Sequence, residues 1–280
     1  MWIHRMTSAQ VARVLALADR AAAADGVDPL NEEARLSLYR STARHLLVGQ
    51  RGHLHGYLNH HPTFATAQLV IDPEHRRAGL GSRLWHQLPV PAGTWAFGDT
   101  PASRGFAAAM GMHASRRLKM YVRPLTEVPT PQLPDGLTLR TYTPADAAEL
   151  LAVNAAAFAE HPEQGQLDAT GLADRMAEGW FDPDGLLLGY DADGLAGFHW
   201  TKTVDGVGEV YVIAVAPRAQ GRGYGKALLD AGMSHLAAKG LPTVSLFVDA
   251  ADQIAVKMYE RAGFGLARED VYYAPGDEEH

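Results

Sequence analysis

The chain has 280 residues, 47% of them hydrophobic and 20% charged, which is ample apolar material for two compact cores of ordinary size. Its net charge of -7 argues against binding to nucleic acid, because the phosphate backbone is held by basic surfaces. With no cysteine, no signal segment and no apolar run of about 18 residues, the sequence excludes disulfides and thiolate chemistry and predicts a cytoplasmic protein that does not enter a membrane.

Helical and strand-like patterns alternate through the first half of the chain. A helix is predicted over residues 8–24, and Asn31 precedes two glutamates as helix-starting residues commonly do. Strands are predicted over 46–49, 54–58 and 65–71, followed by a glycine loop, a helix to Leu88, a strand near Trp95, a helix from Pro101 and a strand near Met120.

The second half repeats this kind of pattern. Helices are predicted over 145–158 and 167–177, then strands over 186–190, 195–201 and 209–215, a glycine loop with a helix to Lys239, a strand over 243–248, a helix over 252–262 and a strand over 269–273. The polar turns Asp193-Gly194 and Asp205-Gly206 suit hairpins. We therefore predict a mixed α/β fold with a largely antiparallel sheet flanked by helices.

The glycine loop of the second half is the most informative segment. It reads Gln220-Gly-Arg-Gly-Tyr-Gly225, follows the apolar run 210–215 and opens a helical pattern. Alternate glycines let backbone N–H groups turn inward without Cβ clashes, and the start of a helix adds partial positive charge. We interpret this loop as a pyrophosphate cradle, although such a loop taken alone is more often a tight turn.

A shorter form of the loop occurs once before. It comprises Arg76, Arg77, Ala78, Gly79, Leu80 and Gly81 after the run Leu69-Val70-Ile71-Asp72-Pro73, and Gly79 precedes Gly223 by 144 residues. A repeat of about half the chain predicts two similar domains. The proline-rich segment 124–135 between them disfavours helix and central strand, so we expect domains over 1–123 and 136–280 joined by this linker.

The order of motifs in the second half resembles the GNAT acetyltransferase superfamily. The loop is followed by a helix, a strand and the pattern Asp252-x-x-Ala255-x-x-x-Tyr259-x-x-x-Gly263-Phe264. Enzymes of this superfamily bind acetyl-CoA at the loop and transfer its acetyl group to an amine. The resemblance therefore implies two tandem GNAT-like domains and acetyl-CoA as co-substrate.

A closer resemblance covers nearly the whole chain. Five segments resemble the mycothiol synthases, a family of tandem GNAT enzymes; they begin at Ala24, Asn154, Trp180, Gly197 and Gly208. The segment at Asn154 contains His161-Pro-Glu-Gln-Gly165, and the segment at Trp180 reads Trp180-Phe-Asp-Pro. Members of that family acetylate the cysteinyl amine of Cys-GlcN-Ins (desacetylmycothiol). Each segment alone is weak, but their joint order is specific.

The resemblance implies roles for individual residues. Glu209 would be the general base for the amine, and Tyr259 would be the acid that protonates the departing thiolate. The residue types alone also fit a surface acid at Glu209 and a core aromatic at Tyr259. Acceptor contacts are implied at Glu32, Glu163, Lys202 and Phe247. Acetyl-CoA contacts are implied at Ile213, Ala214, Val215, Gln220, Gly221, Arg222, Gly223, Tyr224, Gly225, Lys226, Asp252, Gln253, Ile254, Ala255, Val256 and Lys257.

Two positions depart from the family pattern. The family usually has asparagine at the position of Asp252; aspartate can still cap a helix, but it repels phosphate and lacks the amide donor. The usual tyrosine is Phe247 here, which removes one hydroxyl from the acceptor side. These two departures would change the affinity for the acceptor or the identity of the acceptor.

The first half keeps the cradle but lacks the chemical groups. The positions that match Glu209 and Tyr259 are Ala65 and Ala107. We expect a non-catalytic domain that binds acetyl-CoA or is purely structural, with candidate contacts at Leu69, Val70, Ile71, Arg76, Arg77, Ala78, Gly79, Leu80 and Gly81.

Other functions remain open at this stage. They are a GNAT enzyme for another amine, such as a peptide N-terminus or an aminoglycoside, and a non-enzymatic acetyl-CoA sensor. We expect a monomer with a small-molecule amine substrate, no nucleic-acid or membrane partner and no metal. The pairs His53/His55 and His60/His61 have no third ligand at the usual spacing.

Overall fold

The computed structural model describes residues 1–50, 52–159 and 164–276, apart from the side chain of Glu32. The chain forms two compact units, and neither is a single segment. Unit 1 contains Met1–Lys119, Asp249–Ala251 and the residues from Arg268 on, while unit 2 contains Met120–Val248 and Asp252–Ala267. The division at the linker 124–135 stays a proposal. In the described part of the chain, no helix has the length and apolar character to cross a membrane.

The first part of the chain alternates helices with short strands. Helix α1 begins at a capping box between Thr7 and Gln10 and ends at Gly26 in the left-handed conformation, as its sequence signals predict. The elements are α1 (Ser8–Asp25), α2 (Glu32–Ser37), β1 (Arg44–Gln50), β2 (His53–His61), β3 (Thr66–Ile71), α3 (Leu80–Trp85), β4 (Thr94–Ala96), α4 (Pro101–Ala109) and β5 (His113–Pro124).

The later part again combines helices and strands. They are β6 (Thr138–Thr141), α5 (Ala147–Ala157), α6 (Ala169–Met176), β7 (Leu186–Asp191), β8 (Gly194–Val204), β9 (Val207–Val215), α7 (Tyr224–Ala238), β10 (Thr243–Asp249), α8 (Gln253–Arg261) and β11 (Gly265–Ala274). Strand β6 is absent from the sequence prediction, because its four residues Thr-Leu-Arg-Thr carry no strong apolar alternation.

In unit 1, β1, β2 and β3 form an antiparallel sheet in which Leu58 of β2 lies opposite Leu46 and Leu69. Helix α1 covers one face of this sheet, since its buried Val14 and Leu17 belong to the core that contains Tyr57. Strand β4 meets β3 at the parallel bridge between Thr66 and Gly93.

In unit 2, β6, β7, β8 and β9 follow one another as antiparallel neighbours, and β10 joins β9 in parallel. One core contains Phe198, Trp200 and Leu150, and a second contains Leu229 and Met233. The mixed, largely antiparallel sheet flanked by helices is therefore confirmed.

Two irregularities of β9 determine where ligands can reach the sheet. The register with β8 shifts between Trp200 opposite Val212 and Thr201 opposite Val210, so Tyr211 is the extra residue of a β-bulge. Ladder pairing with β10 in the described chain covers Gly208 to Val210 only. Beyond the bulge, the edge of β9 that faced β10 is therefore open.

Candidate functional site

The glycine loop of unit 2 has the backbone that its sequence predicts. Gly221 and Gly223 have φ of 77° and 82°, a region that residues with a Cβ rarely enter. Gly223 is the N-cap of α7 and offers no side-chain oxygen to the first turn. The N–H groups at the start of this 15-residue helix are thus available to an anion.

Side chains beside the loop are partly engaged with acids. Arg222 lies 3.5 Å from the carboxylate of Asp191, and Lys226 pairs with Asp230 one turn further along α7. Three of the predicted acetyl-CoA residues bury their side chains in the cores: Ala214, Tyr224 and Val256.

Glu209 lies on β9 two residues before the bulge. It is half-buried and stands opposite Lys202 of β8 and opposite Ser245 of β10. Opposed residues of paired strands point to the same face, so Glu209 and Lys202 share one side of the sheet. A carboxylate and an ammonium group are thereby presented together where β9 separates from β10.

Lys202 is only 8% exposed despite its charge. Its Nζ lies 4.8 Å from the ring centroid of Trp180 and 5.1 Å from that of Tyr211. Neither aromatic residue is among the contacts predicted from the sequence. The signal for Trp180 was its place in the Trp180-Phe-Asp-Pro segment, while nothing local distinguishes Tyr211.

Tyr259 lies on α8 with 5% of its surface exposed, and its ring meets Phe264 edge-on at 5.8 Å between centroids. Burial, and secondly the nearby Asp252, raise the pKa of Tyr259 far above its ordinary value. The phenol therefore stays protonated at neutral pH. Asp252 caps α8, since its carboxylate accepts the N–H of Ala255 at 2.9 Å.

The remaining predicted acceptor contacts are Phe247, Glu163 and Glu32. Phe247 on β10 is 44% exposed. Glu163 and the side chain of Glu32 lie outside the described residues. Gln164, next to Glu163, is held by the buried Asn154: the Asn154 amide donates to the Gln164 carbonyl at 2.6 Å and accepts from its side chain at 2.9 Å.

Unit 1 contains a cleft of about 700 Å³ where β3 and β4 diverge. Its walls include residues of both strands, of the shorter loop and of α4, among them Ala107. All the predicted unit 1 contacts except Ala78 line it: Leu69, Val70, Ile71, Arg76, Arg77, Gly79, Leu80 and Gly81. Arg77 and Gly79 have φ of 62° and 73°, as Gly221 and Gly223 do in unit 2.

The end of α4 reproduces the end of α8. The N–H of Met112 donates to the carbonyl of Ala107 at 2.9 Å, as the N–H of Phe264 donates to that of Tyr259 at 3.1 Å. Ala107 thus occupies the place of the phenol, as the sequence comparison of the two halves predicts. Ala65 lies in the turn before β3 with φ of 49° and carries no basic group.

Histidines gather near the start of the unit 1 loop. His55 and His75 stack with centroids 3.8 Å apart, and Asp72 pairs with Arg20 and His53. Within the described residues, no group of three or more histidine, aspartate or glutamate side chains is arranged to hold a metal ion.

The splayed sheet, the glycine loop on α7 and the neighbouring acid define an acyltransferase of the GNAT class. The model of the acetyltransferase (GNAT) family matches residues 152–264. The chain is 44% identical to the mycothiol acetyltransferase of Streptomyces avermitilis over 96% of its own length and 92% of the relative's. It is 43% identical to the mycothiol acetyltransferase of Nocardia farcinica over 98% of its own length and 96% of the relative's. The chain belongs to the mycothiol acetyltransferase family.

Solved structures show the same tandem fold. A GCN5-related N-acetyltransferase from Sphaerobacter thermophilus matches with a TM-score of 0.76 at 22% identity, covering 98% of this chain and 96% of that one. A tandem GNAT protein from the clavulanic acid biosynthesis pathway matches with a TM-score of 0.69 at 19% identity, covering 100% of both chains. These likenesses concern the fold.

Proposed function

We propose that the protein transfers the acetyl group of acetyl-CoA to the cysteinyl amine of Cys-GlcN-Ins, which yields mycothiol. The observation that carries this proposal is the placement of Glu209 opposite Lys202, at the point where the open edge of β9 begins. Membership of the mycothiol acetyltransferase family supports this acceptor over other amines.

The donor binds along β9 and the loop. Backbone groups of Ile213, Ala214 and Val215 lie beyond the last β9–β10 pair, so they are free to pair with the amide groups of the pantetheine arm as an added strand would. The pyrophosphate binds at residues 220–226, where two left-handed glycines precede α7. Residues 252–257 at the start of α8 flank the cofactor.

Unit 2 supplies a base, an oxyanion site and an acid. An α-amine has a pKa near ~8, so much of the acceptor arrives protonated at neutral pH. Glu209, directly or through one water, removes that proton, and the amine nitrogen then attacks the thioester carbonyl. A backbone N–H in the stretch 213–215 donates to the resulting oxyanion. As the carbon–sulfur bond breaks, Tyr259 gives its proton to the CoA thiolate, and the second proton that the acceptor nitrogen loses on becoming an amide reprotonates Tyr259 through solvent.

The acceptor binds on the Glu209 side of the sheet. Lys202 donates to hydroxyls of the sugar and inositol, and Glu163 is a proposed partner from the family resemblance. Phe247 supplies a half-exposed apolar surface without the hydroxyl of a tyrosine. That difference concerns acceptor affinity and leaves the base and the donor site untouched.

Unit 1 holds acetyl-CoA or CoA without transferring the acetyl group. Its cleft of about 700 Å³ lies between strands that diverge in the manner of β9 and β10, and Arg76 and Arg77 line it. Ala65 and Ala107 provide neither base nor acid. We also propose that the enzyme works as a cytoplasmic monomer.

An acceptor panel tests the proposal. Initial rates of CoA release would be measured with Cys-GlcN-Ins, free cysteine, a peptide N-terminus and an aminoglycoside at saturating acetyl-CoA. The highest kcat/KM is expected for Cys-GlcN-Ins. Preference for another amine would assign the enzyme to a different acceptor, and no transfer to any amine would favour a sensor that binds acetyl-CoA.

A further inference from the structure

The Lys202 ammonium group lies beside two aromatic rings that contact each other. Its Nζ is 4.8 Å from the Trp180 centroid and 5.1 Å from the Tyr211 centroid, both within the range of cation–π attraction. The two rings are 4.9 Å apart between centroids. Together, Trp180 and Tyr211 form what we term the Lys202 cage.

The cage is held from several sides. The Nε of Arg175 on α6 donates to the Tyr211 hydroxyl at 3.0 Å, and the Tyr211 ring meets Trp200 edge-on at 5.5 Å. The Trp180 ring also packs against Trp200, at 5.8 Å between centroids. Trp200 thus packs against both rings, and Arg175 holds the Tyr211 hydroxyl, before any ligand arrives.

Strand alternation explains why Tyr211 is part of the cage. Residues two apart on a strand point to the same face, so Tyr211 lies on the side of Glu209 and of Lys202 opposite it. There its ring meets Trp200 and Lys202, at the point where β9 leaves β10. The residue at which β9 bulges thus also completes the cage.

We infer that Trp180 and Tyr211 are positioning residues for acceptor binding, acting by holding the Lys202 ammonium on the Glu209 side of the sheet. The inference rests on the proposed function of Lys202. A lysine side chain has a flexible four-carbon stem and loses much rotamer freedom when it binds a ligand. The cage removes that freedom in advance, so that the acceptor meets an ordered cation.

A spectroscopic test reports the cage without any activity. In protein labelled with ¹³C at lysine Cε, ring currents shift the Hε signals of Lys202 upfield, and Lys202→Met identifies them by their loss. Trp180→Leu moves them toward the position of an exposed lysine, while Trp180→Phe keeps most of the shift. Wild-type Lys202 signals at the position of exposed lysines would overturn the inference, whatever the acceptor is.

A kinetic cycle tests the consequence. Trp180→Leu and Tyr211→Leu are each expected to raise the acceptor KM about 3- to 30-fold, with little change in the acetyl-CoA KM. Trp180→Phe restores much of the loss. In the Lys202→Met background, Trp180→Leu has no further effect, because the group that it positions is gone.

Tyr190→Leu is the matched control. It removes another cation–π pair of unit 2, in which Arg140 lies 4.6 Å from the Tyr190 centroid, and should leave the acceptor KM unchanged. If the effects of Trp180→Leu and Lys202→Met on the acceptor KM are additive, the cage only supports the fold. The same conclusion follows if Trp180→Leu raises the KM values for the acceptor and for acetyl-CoA equally. An unchanged acceptor KM in Lys202→Met alone would remove Lys202 from the acceptor site; transfer to Cys-GlcN-Ins is judged separately by the acceptor panel.

Discussion

Glu209 lies directly opposite Lys202 across the antiparallel pair of β8 and β9. Their Cβ atoms are therefore about 5 Å apart on one face of the sheet. Just beyond them, the bulge at Tyr211 turns β9 and its pairing with β10 ends. A carboxylate, a cation and an open strand edge thus occur within a few residues, which is the arrangement on which the proposed acetyl transfer rests.

Replacing Lys202 is expected to weaken acceptor binding selectively. Lys202→Ala removes a charge-assisted donor that costs roughly 1–3 kcal/mol when lost, so the acceptor KM rises about 5- to 150-fold while the acetyl-CoA KM stays constant. Initial rates with each substrate varied in turn check this. Unchanged acceptor kinetics would show that Lys202 serves only the fold.

Replacing the phenol of Tyr259 is expected to slow turnover without disturbing the core. Tyr259→Phe keeps the edge-on contact with Phe264 and removes only the proton donor, so kcat falls about 100-fold and the acetyl-CoA KM is retained.

The pH profile adds a second check on Tyr259. Because burial and Asp252 raise its pKa, the wild-type rate shows no loss from Tyr259 ionisation up to at least about pH 9. A kcat of Tyr259→Phe equal to that of the wild type would assign protonation of the thiolate to solvent.

The two glycine loops offer a matched pair of variants. Gly223 and Gly79 both have positive φ, so Gly223→Leu and Gly79→Leu carry similar backbone strain. The Gly223 variant is expected to abolish transfer, because its side chain blocks the approach of pyrophosphate to α7. The Gly79 variant, once circular dichroism confirms folding, keeps the chemical step. Complete loss of transfer in both folded variants would refute the assignment of unit 1 as non-catalytic.

A buried histidine predicts a pH dependence of stability. His199 on β8 is fully buried beside the carbonyl of Leu228, and burial lowers its pKa to about 4. The unfolded chain, with an ordinary histidine pKa near ~6.5, takes up the proton first as the pH falls. Neutral His199 therefore makes its full contribution to the free energy of unfolding above about pH 6.5. This contribution is lost as the pH falls to about 4, the pKa of His199 in the folded protein.

Urea unfolding at two pH values measures this contribution. Between about pH 7 and about pH 5, the wild type should lose roughly 2 kcal/mol more than His199→Gln. His45, whose pKa burial also lowers to about 4, contributes equally to both proteins. Parallel losses in the two proteins would show that His199 is not the titrating group.

Local signals in the sequence predict most elements and the loop backbone. The glycines at 221 and 223 anticipate left-handed φ, and Asn31 caps α2 as expected, accepting the N–H of Ala34 at 2.8 Å. Arg77 shows the limit of this reasoning, because it adopts φ of 62° where unit 2 has glycine.

Features that depend on strand register escape such prediction. The bulge at Tyr211 exists only relative to β8, where two residues face one, and no local pattern of β9 encodes it. The contact of Trp180 with Lys202 likewise joins a segment before β7 to the end of β8. The family resemblance points to Glu209 and Lys202, but not to the aromatic rings beside them.

The most direct test of the central claim is the turnover of Glu209→Gln with Cys-GlcN-Ins, measured with acetyl-CoA affinity by titration calorimetry. The substitution keeps the shape of the side chain and removes its basicity, so turnover at neutral pH falls on the order of 100-fold or more while acetyl-CoA binds as before. Part of the rate returns above about pH 8, where the acceptor amine is already neutral. Equal losses of turnover and acetyl-CoA affinity, or undiminished turnover, would contradict the assignment of Glu209 as the base.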